Sequence, residues 1–200
     1  MSIAALCILA EKLGGVTSIT NNDTATPSIM ASANVNAWRE SFPRSATLEF
    51  NRDRKSMSVL CRPESSAKGR KGNRLLVKGA PNLLIKRCTH VKFRDGTVMK
   101  LTGDLRRSIE AKTTELATRP LRCLALAVKE TQQLDRTLKM HAPTEYEGNG
   151  DAARSHPLLS DSSKYADIES GLTLVGKKFL FHCFSLFRFC LLSLDFTSIL

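Results

Sequence analysis

The chain lacks any Cys-x-x-Cys pair, although it carries six cysteines: Cys7, Cys61, Cys88, Cys123, Cys183 and Cys190. Scattered single cysteines frame neither a zinc site nor a disulfide scaffold, so they read as reduced thiols in a cytosolic setting. The four histidines are widely separated, with no metal-ligand spacing. No basic stretch opens the chain, and Glu11 and Lys12 interrupt its first fifteen residues, which argues against a secretory signal. A long clean apolar run is missing too. Phe179–Leu200 is apolar, but His182, Arg188 and Asp195 interrupt it, and charges at the centre make spanning a membrane costly. There is no internal repeat. Aromatics are scarce, with 1 Trp, 2 Tyr and 9 Phe, most of the last at or beyond residue 179. Without a readout motif, a nucleic-acid-binding reading rests on charge alone.

What is present is the composition of an ordinary globular chain. Two hundred residues, 42% hydrophobic and 24% charged, allow one domain with a real core. The net charge of +11 is concentrated in the middle: residues 44–139 hold 23 of the 30 Lys and Arg but 9 of the 19 Asp and Glu. Such a region suits a polyanionic ligand, whether nucleotide phosphate or nucleic acid, and a merely solvated basic surface is the plainer alternative.

Periodicity predicts a helix over 2–13, ended by Gly14-Gly15, then a long loop over 16–45 with a short helix near Ile29–Trp38. Thr47–Asn51 and Ser56–Arg62 read as a β-hairpin turning at Asp53-Arg54, with Leu48 and Phe50 alternating against Glu49 and Asn51. A polar connector over 63–73 leads to a short strand at Leu75–Lys78. Pro81 then opens a helix through Arg87, where its missing N–H goes unneeded. Val91–Phe93 and Thr97–Lys100 pair across Arg94-Asp95-Gly96. A helix over about 103–117, an apolar strand over Leu121–Val128, a long loop over 131–163, a helical turn near Tyr165–Ser170 and a last strand at Leu172–Val175 complete the pattern. It is α+β, an antiparallel sheet flanked by helices.

Two stretches carry chemistry. TLEFNRDRKSMSV at 47–59 sets an aromatic beside a row of cations, and LLVKGAP at 75–81 places a lysine before two small residues. Phe50 offers a ring face for a base, and Arg52, Lys55 and Lys78 offer charge for phosphates. Together they describe an adenine nucleotide pocket. Phe50 as a plain sheet-core residue and Lys78 as a surface lysine ending a strand are the bland alternatives.

These stretches, with LRCLALAVKE at 121–130 and the weaker AALCILAEKLG at 4–14 and ESGLTLVG at 169–176, resemble the nucleotide-binding (N) domain of P-type cation pumps. Within that family the likeness is to calcium-transporting ATPases of the endoplasmic-reticulum type, and it covers roughly residues 4 to 176. The resemblance implies that Phe50 stacks on adenine, that Lys78 lies deep in the adenine pocket beside Gly79 and Ala80, and that Arg122 contacts phosphate while Leu124 lines the pocket. Arg52, Lys55 and Met57 complete the implied set of ATP-binding residues. The implied partners are adenine nucleotide (Mg-ATP in the intact pump) and the pump's phosphorylation and actuator domains. The implied location is the cytosolic face of the endoplasmic reticulum membrane.

The chain also departs from the family. Ile3 stands where the pumps have a glutamate that reaches the adenine amino group, so weakened nucleotide binding is expected. The Asp-Lys-Thr-Gly-Thr motif whose aspartate is phosphorylated is missing, and Leu101-Thr-Gly-Asp104 reads as a helix start. No turnover is therefore expected of the chain alone. Residues 1–176 read as an N domain. Residues 177–200 leave the family pattern abruptly, and a translated intron is one reading of that tail. A basic nucleic-acid-binding module and an interaction module docking through the apolar tail remain as alternatives.

Overall fold

The computed structural model describes residues 32–61, 72–118, 121–130, 137 and 156–181. The expected helix over 2–13, most of the loops over 16–45 and 131–163, nearly all of the 63–73 connector and the tail beyond 181 lie outside the described residues. The chain divides into two compact units, Met1–Pro43 with Arg62–Lys71 and Arg44–Cys61 with Gly72–Leu200. The first contributes one described helix, α1 (Ala33–Ser41), a few residues later than the expected 29–38. Trp38 and Phe42 pair at its end with ring centroids 5.3 Å apart.

Among the described residues, the second unit forms a seven-stranded sheet. In chain order its elements are β1 (Arg44–Asn51), β2 (Ser56–Cys61), β3 (Arg74–Gly79), α2 (Pro81–Arg87), β4 (Cys88–Lys92), β5 (Val98–Lys100), α3 (Gly103–Ala117), β6 (Leu121–Lys129), a 3-10 turn (Ser162–Lys164), α4 (Tyr165–Ile168) and β7 (Leu172–Phe181). The strands lie in the order β1-β2-β3-β6-β7-β4-β5. The α+β class holds, but the sheet is mixed. β4 and β7 run parallel, with Val91 opposite Leu174, while every other pairing is antiparallel. The two parallel strands meet without a hairpin between them, so no local turn signal announces their direction. The last strand is also longer than its apolar stretch suggested: β7 runs past Gly176 to Phe181, paired with β6 throughout.

Local chemistry explains most elements. Pro81 sits at the first position of α2, where a proline costs no hydrogen bond. Thr102 caps α3 by accepting the Leu105 N–H, so Thr102-Gly103-Asp104 is a helix start. The β4–β5 turn uses Gly96 at φ 91°, while the Asp95 carboxylate accepts the Thr97 N–H and holds its own pKa below the usual aspartate value by doing so.

One face of the sheet carries the core. Leu48, Leu60, Leu75, Val77, Ala125, Ala127, Leu172 and Leu174 pack there with Leu84 and Ile85 of α2 and Ile109 of α3. The Arg106 guanidinium ties α3 to the end of α2, donating to the carbonyls of Ile85 (2.6 Å) and Cys88 (3.0 Å). Alternation sends the intervening residues to the opposite face. There Leu76 and Val175 are exposed and Lys78 is half-buried. That second face positions the candidate site.

Candidate adenine nucleotide site

The register of three neighbouring strands builds the centre of the site. Met57 on β2 lies directly opposite Lys78 on β3, and Lys78 lies directly opposite Leu126 on β6. Directly opposed residues share a sheet face, so these three form a row with about 5 Å between strands. Leu124, two residues before Leu126, shares its face and is half-buried. Arg122 lies two positions earlier on the same strand, its backbone paired with Leu180.

Phe50 is the exception to simple alternation. Leu48 and Phe50 are expected on one face, yet Leu48 is 1% exposed and Phe50 60% exposed. The cause is a register shift in the β1–β2 pairing between Leu48 and Asn51. Such an irregularity re-aims the side chains after it. The ring therefore leaves the core and stands open beside the turn that follows, which removes the reading of Phe50 as a sheet-core residue. Only β2 lies between β1 and β3, so two inter-strand spacings put Phe50 within about 10 Å of Lys78 in the sheet direction.

The turn between β1 and β2 holds two of the expected cations outward. Arg52 and Lys55 are exposed, and Lys55 takes the left-handed conformation at φ 49°. Asn51 shapes the bend: its side-chain oxygen accepts the Asp53 N–H at 2.7 Å, and its carbonyl accepts the Lys55 N–H at 2.8 Å. The Lys55 carbonyl in turn accepts the Ala80 N–H at 2.9 Å. A Cβ on Gly79 would lie 2.8 Å from that carbonyl oxygen and 2.9 Å from the Ser56 Cβ. Gly79 is thus small because the turn of the hairpin rests on it. The space beside it is filled by the protein's own backbone and the Ser56 side chain.

Beneath the turn lies a buried ionic network that sequence reasoning missed. Glu169, fully buried, accepts hydrogen bonds from Ser56 Oγ (2.6 Å), Ser58 Oγ (2.8 Å) and Arg87 Nη1 (2.7 Å), and pairs with Arg54 Nη1 at 3.0 Å. Arg54 also donates to the carbonyls of Leu48, Glu49 and Ser56, and its guanidinium stacks 5.0 Å from the Tyr165 ring. Burial, opposed by the Glu169 charge, draws Arg54 below the ordinary arginine pKa. Arg87 donates to the Arg54 carbonyl at 2.5 Å, and the buried Lys129 ammonium donates to the Ile168 carbonyl at 3.0 Å. Desolvation lowers the Lys129 pKa. One sequence signal pointed here. Ser56 and Ser58 alternate on the inward face of an otherwise apolar strand, and buried hydroxyls require a buried polar partner.

Comparisons with known proteins identify the family of the chain. The family described as P-type ATPase, cytoplasmic domain N, matches residues 3–177. The chain belongs to that family. Among curated relatives, the N domain is 33% identical over 181 residues to Calcium-transporting ATPase 2, endoplasmic reticulum-type, of Arabidopsis thaliana, covering 86% of this chain and 16% of the relative. It is 34% identical over 173 residues to Calcium-transporting ATPase 4, endoplasmic reticulum-type, of the same plant, covering 86% of this chain and 15% of the relative. The chain thus spans about a sixth of the length of these curated relatives. No described helix of the N domain is long and apolar enough to cross a membrane, and Cys61 and Cys88 are free, buried thiols. Ile3, at the departure from the family pattern, lies outside the described residues.

Proposed function

We propose that this N domain binds adenine nucleotide on the sheet face opposite its core, as the ATP-binding part of a calcium-transporting P-type pump. The observation that carries the reading is the exposed Phe50 ring, turned out of the sheet beside the Arg52–Lys55 turn, next to the row of Met57, Lys78 and Leu126. The base stacks on Phe50, a contact worth about 1–3 kcal/mol by comparison with bases on aromatic platforms. Lys78 stands at the inner end of the site beside Gly79 and Ala80, Met57 and Leu124 line it, and Arg52, Lys55 and Arg122 take the phosphates. Within a whole pump, Mg-ATP held here meets an aspartate on the phosphorylation domain at the cytosolic face of the endoplasmic reticulum, with the actuator domain completing the cycle. The N domain contributes binding and orientation and transfers no phosphoryl group by itself.

With Ile3 in place of the family glutamate, affinity is near millimolar, about −4 kcal/mol. NMR titration of the chain with ATP and with GTP tests the reading. Shifts at Phe50, Met57 and Lys78 with ATP alone, abolished by Phe50→Ala, support it. Unmoved resonances at several millimolar ATP, or equal shifts with GTP, count against it.

A further inference from the structure

Glu169 is fully buried and lies far in sequence from everything it binds, 113 residues from Ser56 and 82 from Arg87. Its two carboxylate oxygens are shared among two serine hydroxyls of β2 and two guanidinium groups. Both arginines then reach the β1–β2 turn. Arg54 is itself a turn residue, and its guanidinium holds carbonyls on both sides of the bend, at Leu48 and Glu49 of β1 and at Ser56 of β2. Arg87 comes from the end of α2 and closes on the Arg54 carbonyl. The residues on either side of Arg54 in this turn, Arg52, Asp53 and Lys55, are all exposed. The bend therefore has an anchored underside and a cationic outer side. The anchor is electrostatic, because without Glu169 the two guanidinium groups repel and Arg54 is left a buried, uncompensated charge.

We infer that Glu169 is a positioning residue for the nucleotide site: without touching the ligand, it holds Arg54 and Arg87 so that the Asn51–Ser56 turn presents Arg52 and Lys55 to the phosphates. The inference rests on the adenine nucleotide reading above. It makes a distinction that a general loss of stability does not. Disturbing Glu169 weakens ligands that carry phosphates and spares the base, and it does so only while Arg52 and Lys55 are there to be positioned.

The test compares ATP and adenosine binding by the full chain and by Glu169→Gln, in the native background and with Arg52 and Lys55 both changed to alanine. Glu169→Gln raises the ATP dissociation constant roughly three- to tenfold, leaves that of adenosine unchanged, and adds nothing in the double-alanine background, since residues acting through one network are non-additive. An equal loss for ATP and adenosine, or the same loss in both backgrounds, overturns the inference, as does unchanged ATP affinity. Should Glu169→Gln not fold, Arg87→Lys takes its place. It keeps one cation on Glu169 but loses the forked second donor on the Arg54 carbonyl. The same phosphate-selective loss is expected of it, and unaltered ATP affinity refutes the positioning role. If the unsubstituted chain binds neither ATP nor adenosine, the nucleotide reading itself has failed, a result distinct from the others.

Discussion

Replacing Gly79 with alanine separates two explanations of the Lys-Gly-Ala sequence at the end of β3. In the structure the added Cβ meets the Lys55 carbonyl oxygen at 2.8 Å and the Ser56 Cβ at 2.9 Å. Ordinary contact begins near 3.4 Å, so the turn must withdraw by about 0.6 Å. The same carbonyl accepts the Ala80 N–H at 2.9 Å, and a retreat of that size stretches the bond to the edge of hydrogen-bonding range. Overpacking of this kind costs about 1–3 kcal/mol. The weakened hydrogen bond adds up to about 1 kcal/mol, and the lower entropy of an unfolded alanine chain returns about 0.4–1 kcal/mol. At the middle of each range the net is a loss of about 2 kcal/mol, or a fall in Tm of roughly 4–8 °C for a chain of this size. Thermal unfolding of the full chain, followed by circular dichroism with and without ATP, measures it. A Gly79→Ala protein that melts at or above the unsubstituted temperature, while binding ATP more weakly, refutes the packing argument and returns the glycine to the ligand.

Other expectations follow from single contacts. Thr102→Ala removes the side-chain acceptor of the Leu105 N–H at the start of α3 and lowers stability by about 1 kcal/mol in denaturant unfolding. Cys88 is buried and donates its thiol proton to the Leu84 carbonyl at 3.2 Å, and burial pushes its pKa from 9.0 to about 12. Here the folded state keeps a proton that the unfolded state gives up. The Cys88 contribution to stability is therefore complete below about pH 9 and is lost as pH rises toward about 12. Urea unfolding from pH 8 to 11 should show a steeper alkaline decline for the unsubstituted chain than for Cys88→Ala.

Legibility in the sequence followed the range of the interactions. The β1–β2 hairpin, the Pro81 helix, the Asp95-Gly96 turn and the Thr102 helix start are set by neighbours within a few residues, and each lies close to where the sequence placed it. Lys78 facing Met57 was also within reach, because a hairpin followed by a short strand constrains its own register. What escaped depends on distant partners. Arg54 reads as one more member of an exposed cationic row, and only Glu169, far along the chain, explains why it points inward while Arg52 and Lys55 point out. The outward turn of Phe50 depends on a pairing irregularity that alternation cannot show. The parallel contact of β4 with β7, and the length of β7, are likewise properties of strands that meet only in the folded sheet.

In the proposed site, Phe50 and the surrounding cations form one cleft for adenine nucleotide. The most direct measurement is an NMR titration of the full chain and of Phe50→Ala with ATP up to several millimolar. Saturable shifts near Phe50, Met57 and Lys78 are expected in the unsubstituted chain, half-complete near 1 mM, about −4 kcal/mol, and none in Phe50→Ala. Identical shifts in both proteins, or none in either, would contradict it.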